Sequence, residues 1–179
     1  MKANDPAILV VDASDGTKLG LVRDLFRSYA TEWSATIAET LRYQGFEDEV
    51  AGLPGRYAPP AGCLLLAMGG KVSAGCVAMR DLGGGTCEMK RLYVSPDHRG
   101  RGVARVLVEE VVRRAERAGY LRMVLDTMPE MAQAIALYQK HGFVETDPYW
   151  DDPTKRAVFM ERPLATFLPS VDQLDNKAR

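Results

Sequence analysis

Cysteine and histidine are scarce in this chain of 179 residues, with three of the first and two of the second. Cys63, Cys76 and Cys87 cannot all pair within the chain, and their spacing resembles no zinc motif. Each lies in an apolar run that reads as a strand, so buried free thiols in a reducing compartment are expected. The two histidines, His98 and His141, belong to no legible Ser-His-Asp or Cys-His arrangement. No apolar run approaches the roughly 20 residues of a membrane-spanning helix. The first eight residues lack the basic-then-apolar layout of a signal peptide, and the expectation is a cytoplasmic protein with no membrane association. Neither sign of charge dominates, since 23 Lys and Arg face 24 Asp and Glu. No long-range pull toward nucleic acid follows, and no basic stripe with interleaved aromatics is present. Internal repeats and low-complexity segments are also missing.

What is present is ordinary globular composition, 46% hydrophobic and 26% charged, in a length that suits one core. A single domain over residues 1–165 and a tail at 166–179 are expected. Residues 7–11 read as a buried strand. From Thr17 onward Val22, Leu25, Phe26 and Tyr29 recur at helical spacing, with Asp15 as the expected N-cap. Trp33, Ile37 and Leu41 continue into a second helix, and Phe46, Val50 and Leu53 into a shorter one. Proline and glycine then force a loop at 54–60. Strands follow at 63–68, 72–79 and 87–94, joined at Gly69-Gly70 and at Gly83-Gly84-Gly85.

A helix with Ala104, Leu107, Val108, Val111, Ala115 and Ala118 on one face ends at Gly119. After a strand at 120–126, Thr127-Met128-Pro129-Glu130 has the form of a capping box. Its helix carries Met131, Ala134, Ile135 and Tyr138 and ends at Gly142, and strands at 143–145 and 157–161 close the order. The fold class is α/β, with a mixed, mostly antiparallel sheet of about seven strands and helices on both faces.

Residues 99–104 carry the clearest chemistry. A strand runs into a loop that delivers consecutive N–H groups to a helix start, where the helix dipole adds positive potential. Gly100 and Gly102 permit close backbone approach, and Arg99 and Arg101 add charge. This layout suits a diphosphate better than a single carboxylate. The Rossmann fingerprint needs a third small residue where Arg105 stands, and the P-loop needs a Gly-Lys-Ser/Thr ending that is absent. A plain helix start with solvated arginines is the structural alternative.

The run Leu92-Tyr93-Val94-Ser95-Pro96-Asp97-His98-Arg99-Gly100-Arg101-Gly102-Val103-Ala104 resembles motif A of the GNAT acetyltransferase superfamily. Arg99, Gly102 and Ala104 fill its hallmark of Arg or Gln, two residues, Gly, one residue, then Gly or Ala. Ala134-Ile135-Ala136-Leu137-Tyr138-Gln139-Lys140-His141-Gly142-Phe143 resembles the second motif, a helix ending in Tyr-x-x-x-Gly-Phe. The element order from Ala7 to Glu161 matches as well. The resemblance implies acetyl-CoA as cosubstrate and splayed fourth and fifth strands. It implies a pantetheine arm paired with the backbone at Leu92, Tyr93 and Val94. The pyrophosphate would then sit on the N–H groups of Arg99, Gly100, Arg101, Gly102, Val103 and Ala104. Met131 stands where many relatives carry Asn near the start of the second-motif helix.

The same resemblance implies an N-acetyltransferase acting by direct attack of an amine, with Tyr138 protonating the leaving thiolate. Because an alkylamine with pKa near 10.4 is protonated at neutral pH, a base is useful. By the same resemblance Glu88 is the candidate, early in the fourth strand where some family members place a catalytic glutamate; a surface carboxylate paired with a neighbour such as Lys90 or Arg91 is the alternative. Arg56 and Tyr57, and Tyr149 and Trp150 among acids, are expected around a small-molecule or peptide amine acceptor. Two other readings stay open: a CoA-binding sensor without turnover, and an acyltransferase with a different acyl donor. Dimers are frequent in the family, so a homodimer is among the expected states.

Overall fold

The computed structural model describes residues 7–165, and the tail expected at 166–179 lies outside them. The chain opens with β1 (Ile8–Asp12), α1 (Gly16–Glu32), α2 (Ser34–Tyr43) and α3 (Phe46–Ala51). A meander of β2 (Cys63–Gly69), β3 (Val72–Gly83) and β4 (Thr86–Val94) follows. Next, α4 (Val103–Arg117) crosses to β5 (Arg122–Thr127), and α5 (Ala132–Lys140) leads to β6 (Val144–Glu145) and β7 (Val158–Pro163). The strands form one sheet in the order β1-β2-β3-β4-β5-β7-β6. Every pair is antiparallel except β4–β5. The expected mixed, mostly antiparallel sheet is the one this chain builds.

Helices cover both faces, which is why β2 reads as an unbroken apolar run. Its Cys63, Leu65 and Ala67 join Leu107, Val108 and Val111 of α4 in one core, with Tyr138 of α5. Leu64 and Leu66 point the other way, into a second core with Val22 and Phe26 of α1, Ile37 of α2 and Val50 of α3. The face read for α4 holds at Leu107, Val108, Val111 and Ala115, but Ala118 is exposed and caps the helix end, while Val112 is buried.

Two features of the sheet open a gap in its middle. Pairing of β4 with β5 stops after Glu88↔Val124, whereas β5 stays on β7 as far as Thr127↔Val158. Against β3, Cys76 faces Tyr93 but Ala78 faces Lys90, so β4 carries one extra residue. That bulge contains Arg91 at φ 57, the left-handed region. A bulge strengthens local twist and re-aims side chains, and beyond it β4 and β5 part company.

The motif ending Tyr-x-x-x-Gly-Phe has a backbone reason. Gly142 takes φ 81, its N–H donates to Gln139 O, and the Phe143 N–H donates to Tyr138 O. These two bonds make a Schellman motif, which brings the residues at its two ends into apolar contact. Here they are Tyr138 and Phe143, with ring centroids 5.9 Å apart.

Two expected caps are corrected. Thr127 ends β5, held extended by its pairing with Val158, and α5 begins only at Ala132 with no side-chain cap. Thr127 Oγ1 meets Met131 Sδ at 3.5 Å, and Glu130 pairs with Arg156. No capping box forms. Asp15 does occupy the N-cap position of α1, but its carboxylate accepts from Thr17 Oγ1 and Lys18 Nζ, each at 3.0 Å, rather than capping the backbone.

Candidate active site

The gap between β4 and β5 is the floor of a cleft of about 750 Å³. Residues 89–94 of β4 form one side, and Leu125, Asp126 and Thr127 of β5 with Leu137 and Tyr138 of α5 form the other. The start of α4 closes one end, and Tyr29, Glu32 and Trp33 at the end of α1 overhang it.

At the α4 end, Gly102 holds φ 77 with room for a side chain around it, so conformation and not space calls for glycine. The Val106 N–H donates to Gly102 O as the first bond of the helix. The N–H groups of Val103, Ala104 and Arg105 therefore have no intrahelical partner. No side chain caps them, and the first turn holds no acid. Of the expected donor-site residues, Leu92, Tyr93, Val94, Arg99, Gly100, Gly102, Val103 and Ala104 all line the cleft, while Arg101 is exposed outside it. Arg99 is not simply aimed into the cleft. Its Nη2 donates to both oxygens of Glu32 at 2.7 Å, and its Nε to Val94 O at 3.1 Å. The guanidinium also lies 5.8 Å over the Tyr93 ring.

The other end is walled by buried polar groups. Tyr138 is buried yet lines the cleft. Burial, with Tyr29 and Asp126 nearby, pushes its phenol well above the ordinary value, so it stays neutral and able to donate a proton. Glu88 is 0% exposed and does not line the cleft. Its carboxylate is occupied by Arg80 Nε at 2.5 Å, Tyr149 Oη at 2.9 Å and Lys90 Nζ at 3.4 Å. The residue expected as base thus sits away from the lining, and the carboxylate of this cluster that reaches the cleft is Asp126.

Asp126 Oδ1 accepts from Lys90 Nζ at 2.8 Å and from Tyr149 Oη at 3.4 Å. Its Oδ2 accepts one bond, from Gln44 Nε2 at 3.4 Å. Burial alone works to raise its pKa, but the Lys90 charge and hydrogen bond outweigh that and hold it below the usual carboxylate range. The β4 bulge places Lys90 and Arg91 on the same face. Arg91 bonds Glu49 through Nε and Nη2 at 2.8 and 2.7 Å, and Nη2 also bonds Gln44 Oε1.

The expected acceptor residues divide. Arg56 is exposed and Tyr57 is a core residue whose hydroxyl donates to Glu49 at 2.9 Å; neither lines the cleft. The loop at 54–60 packs against α1 through the Phe26–Tyr57 edge contact instead. Tyr149 and Trp150 also lie outside the lining. Tyr149 nonetheless reaches Asp126, and Trp150 stacks on Tyr43 at 6.0 Å, next to Gln44. Asp152 shapes this loop by accepting from the N–H groups of Thr154, Arg156 and Ala157. Sequence reading named Lys90 as a partner of Glu88, a pair the structure contains, but missed Asp126 and Gln44. A carboxylate closing the apolar run of β5 was a usable signal for the first; Gln44, at a helix end, offered none.

Comparison with known proteins places the chain in a family. Residues 21–143 match the profile of the Acetyltransferase (GNAT) family. An uncharacterized N-acetyltransferase of Schizosaccharomyces pombe is 40% identical over 139 residues, covering 76% of this chain and 85% of that protein. A GNAT-family acetyltransferase from Staphylococcus aureus Mu50 superposes with a TM-score of 0.74 at 16% identity, over 89% of this chain and all of that one. The PaiA N-acetyltransferase of Thermoplasma acidophilum, solved in complex with coenzyme A, gives a TM-score of 0.70 at 17% identity, over 88% and 99%. The protein belongs to the Acetyltransferase (GNAT) family.

Proposed function

We propose that this protein transfers an acetyl group from acetyl-CoA directly to an amine. The observation that carries the reading is the continuity of the cleft, from the unpartnered N–H groups of α4, along the free edge of β4, to Tyr138 and Asp126. In this reading the N–H groups of Val103, Ala104 and Arg105 hold the diphosphate. Backbone groups at Leu92, Tyr93 and Val94, which no longer pair with β5, receive the pantetheine arm. Coenzyme A bound to the fold relative from Thermoplasma acidophilum supports that choice of donor.

Asp126 is assigned to receive the acceptor amine in place of Glu88, because it lines the cleft, is held as a carboxylate, and its Oδ2 is lightly engaged. Kept ionised by Lys90, it holds the acceptor ammonium by charge and hydrogen bond, and one proton leaves that nitrogen to solvent water. The freed nitrogen lone pair forms the C–N bond to the thioester carbon, the C–S bond breaks, and sulfur leaves with the electron pair. Tyr138 gives sulfur a proton and is reprotonated by the second proton leaving nitrogen. Glu88 keeps Lys90 and Tyr149 in place around Asp126. Tyr149 and Trp150 stay assigned to the acceptor side through the loop they carry, and Arg56 and Tyr57 are not assigned to it.

Calorimetric titration with CoA and acetyl-CoA, on wild type and Ala104→Glu, tests the donor site. A glutamate at this first-turn position suits the helix dipole and leaves folding intact, yet opposes a diphosphate. Binding weakened by about 30-fold or more in a folded variant is expected. A screen of primary amines for thiol release follows, in which Tyr138→Phe lowers kcat by about 100-fold with donor Kd unchanged. A folded wild type that binds neither CoA nor acetyl-CoA overturns the reading.

A further inference from the structure

Glu32, the last residue of α1, and Arg99, in the turn before α4, both line the donor end of the cleft. They are 67 residues apart in sequence, and one nitrogen, Arg99 Nη2, contacts both carboxylate oxygens at 2.7 Å. Tyr93 Oη donates to the same carboxylate at 3.0 Å. The other acids of the cleft have partners away from this turn: Asp126 pairs with Lys90, and Glu130 with Arg156. Arg105, at the same end, pairs with Glu109 one turn along its own helix.

The turn does not need Glu32 to hold its shape. Arg99 is anchored independently by its Nε bond to Val94 O and by the Tyr93 ring. The backbone turns on bonds from His98 N to Ser95 O and from Arg99 N to Pro96 O. What Glu32 does is draw on the Arg99 charge. A guanidinium nitrogen committed to a carboxylate cannot make the same bonds to phosphate oxygens. The pair is also partly wet, with Arg99 side-chain exposure of 45% and Glu32 of 28%, so the exchange is modest in energy and readily reversed.

We infer that Glu32 is an internal competitor for Arg99, which holds diphosphate affinity down and speeds the departure of spent CoA. The inference rests on the donor reading above. An enzyme that discharges its donor must release the product each cycle, and product release limits many turnover rates. A carboxylate kept beside the diphosphate turn and bonded to its arginine serves that end. Its removal acts mainly on the dissociation rate, where affinity changes within one site usually fall.

The test is a double-mutant cycle of Glu32→Gln and Arg99→Gln, titrated with CoA, dephospho-CoA and pantetheine. Glutamine keeps an acceptor for the Tyr93 hydroxyl while removing the charge. Glu32→Gln is expected to bind CoA and dephospho-CoA about fivefold more tightly, with dissociation slowed by a similar factor. Pantetheine, which has no diphosphate, is expected to bind unchanged, and the gain is expected to vanish in the Arg99→Gln background. Glu32→Asp, one methylene shorter, is the second variant and should yield part of the gain. Unchanged or weaker CoA binding by Glu32→Gln overturns the inference. So does an equal gain for pantetheine, or a gain that survives Arg99→Gln, which reports the Glu32 field alone. If wild type fails to bind CoA the donor reading falls and this inference with it; if wild type binds and the variants show no gain, this inference alone falls.

Discussion

Glu88 and Asp126 sit in one buried cluster yet meet different surroundings. Glu88 is sealed among Arg80, Lys90 and Tyr149, and Asp126 shares Lys90 and Tyr149 with it but touches the cleft. Removing one member of a buried ion pair leaves an uncompensated charge, which costs about 3–5 kcal/mol. Glu88→Ala is therefore expected to lose stability of that order in urea unfolding. Asp126→Asn keeps the shape of the side chain and is expected to lower kcat at least tenfold with a smaller stability loss. The reverse ranking in activity, Glu88→Gln far below Asp126→Asn, returns the amine-facing role to Glu88. The linear chain offered both carboxylates but did not rank them. Glu88 and Asp126 are each one carboxylate in an apolar strand, and only the line along which β4 and β5 separate decides which is covered.

At the scale of elements, local signals translated well where the physics is local. The end of α5 is encoded in six consecutive residues, because a glycine at positive φ and the two hydrogen bonds around it need no distant partner. An L-residue in that conformation costs about 1–2 kcal/mol. Gly142→Ala is accordingly expected to lower the melting temperature by about 3–6 °C, and an unchanged melting temperature contradicts the Schellman account. Signals that depend on a partner element failed. Thr127-Met128-Pro129-Glu130 has the letters of a capping box, but strand pairing holds Thr127 in β5 and the helix starts too late for it. The β4 bulge is set by register against β3, and with it Arg91 meets Glu49 of α3 while Lys90 meets Asp126 of β5.

At the scale of the molecule, the two cores carry ionisable groups that resist charging. Burial pushes Cys63 and Cys87 up to about 12, and Tyr29 and Tyr120 to about 12 as well. In the unfolded chain thiols ionise near 8.5 and phenols near 10. Between those values and about 12 the folded state binds more protons than the unfolded one, so stability falls as pH rises. Urea unfolding is expected to show a loss of more than about 2 kcal/mol at pH 10.5 relative to pH 7. The acid side has the opposite sign. Glu49 is half-buried, which raises its pKa, but the Arg91 bonds outweigh this and hold it low, as Lys90 does for Asp126. Their contribution is present above about pH 4 and is lost as pH falls through their lower folded values. A urea midpoint flat from pH 7 to 10.5 contradicts this picture of the cores.

Local patterns in the chain specify the order of elements, the mixed sheet and the glycine turn before α4. Periodicity, glycine conformation and the free N–H groups of a helix start are properties of neighbouring residues. The tertiary structure decided the partners: Glu32 on Arg99, Gln44 on Asp126 across 82 residues, and the burial of Glu88. Those outcomes depend on strand register, on where β4 leaves β5 and on which helix ends overhang the gap. No stretch of adjacent residues specifies any of these, because each is set by how separate elements pack against one another.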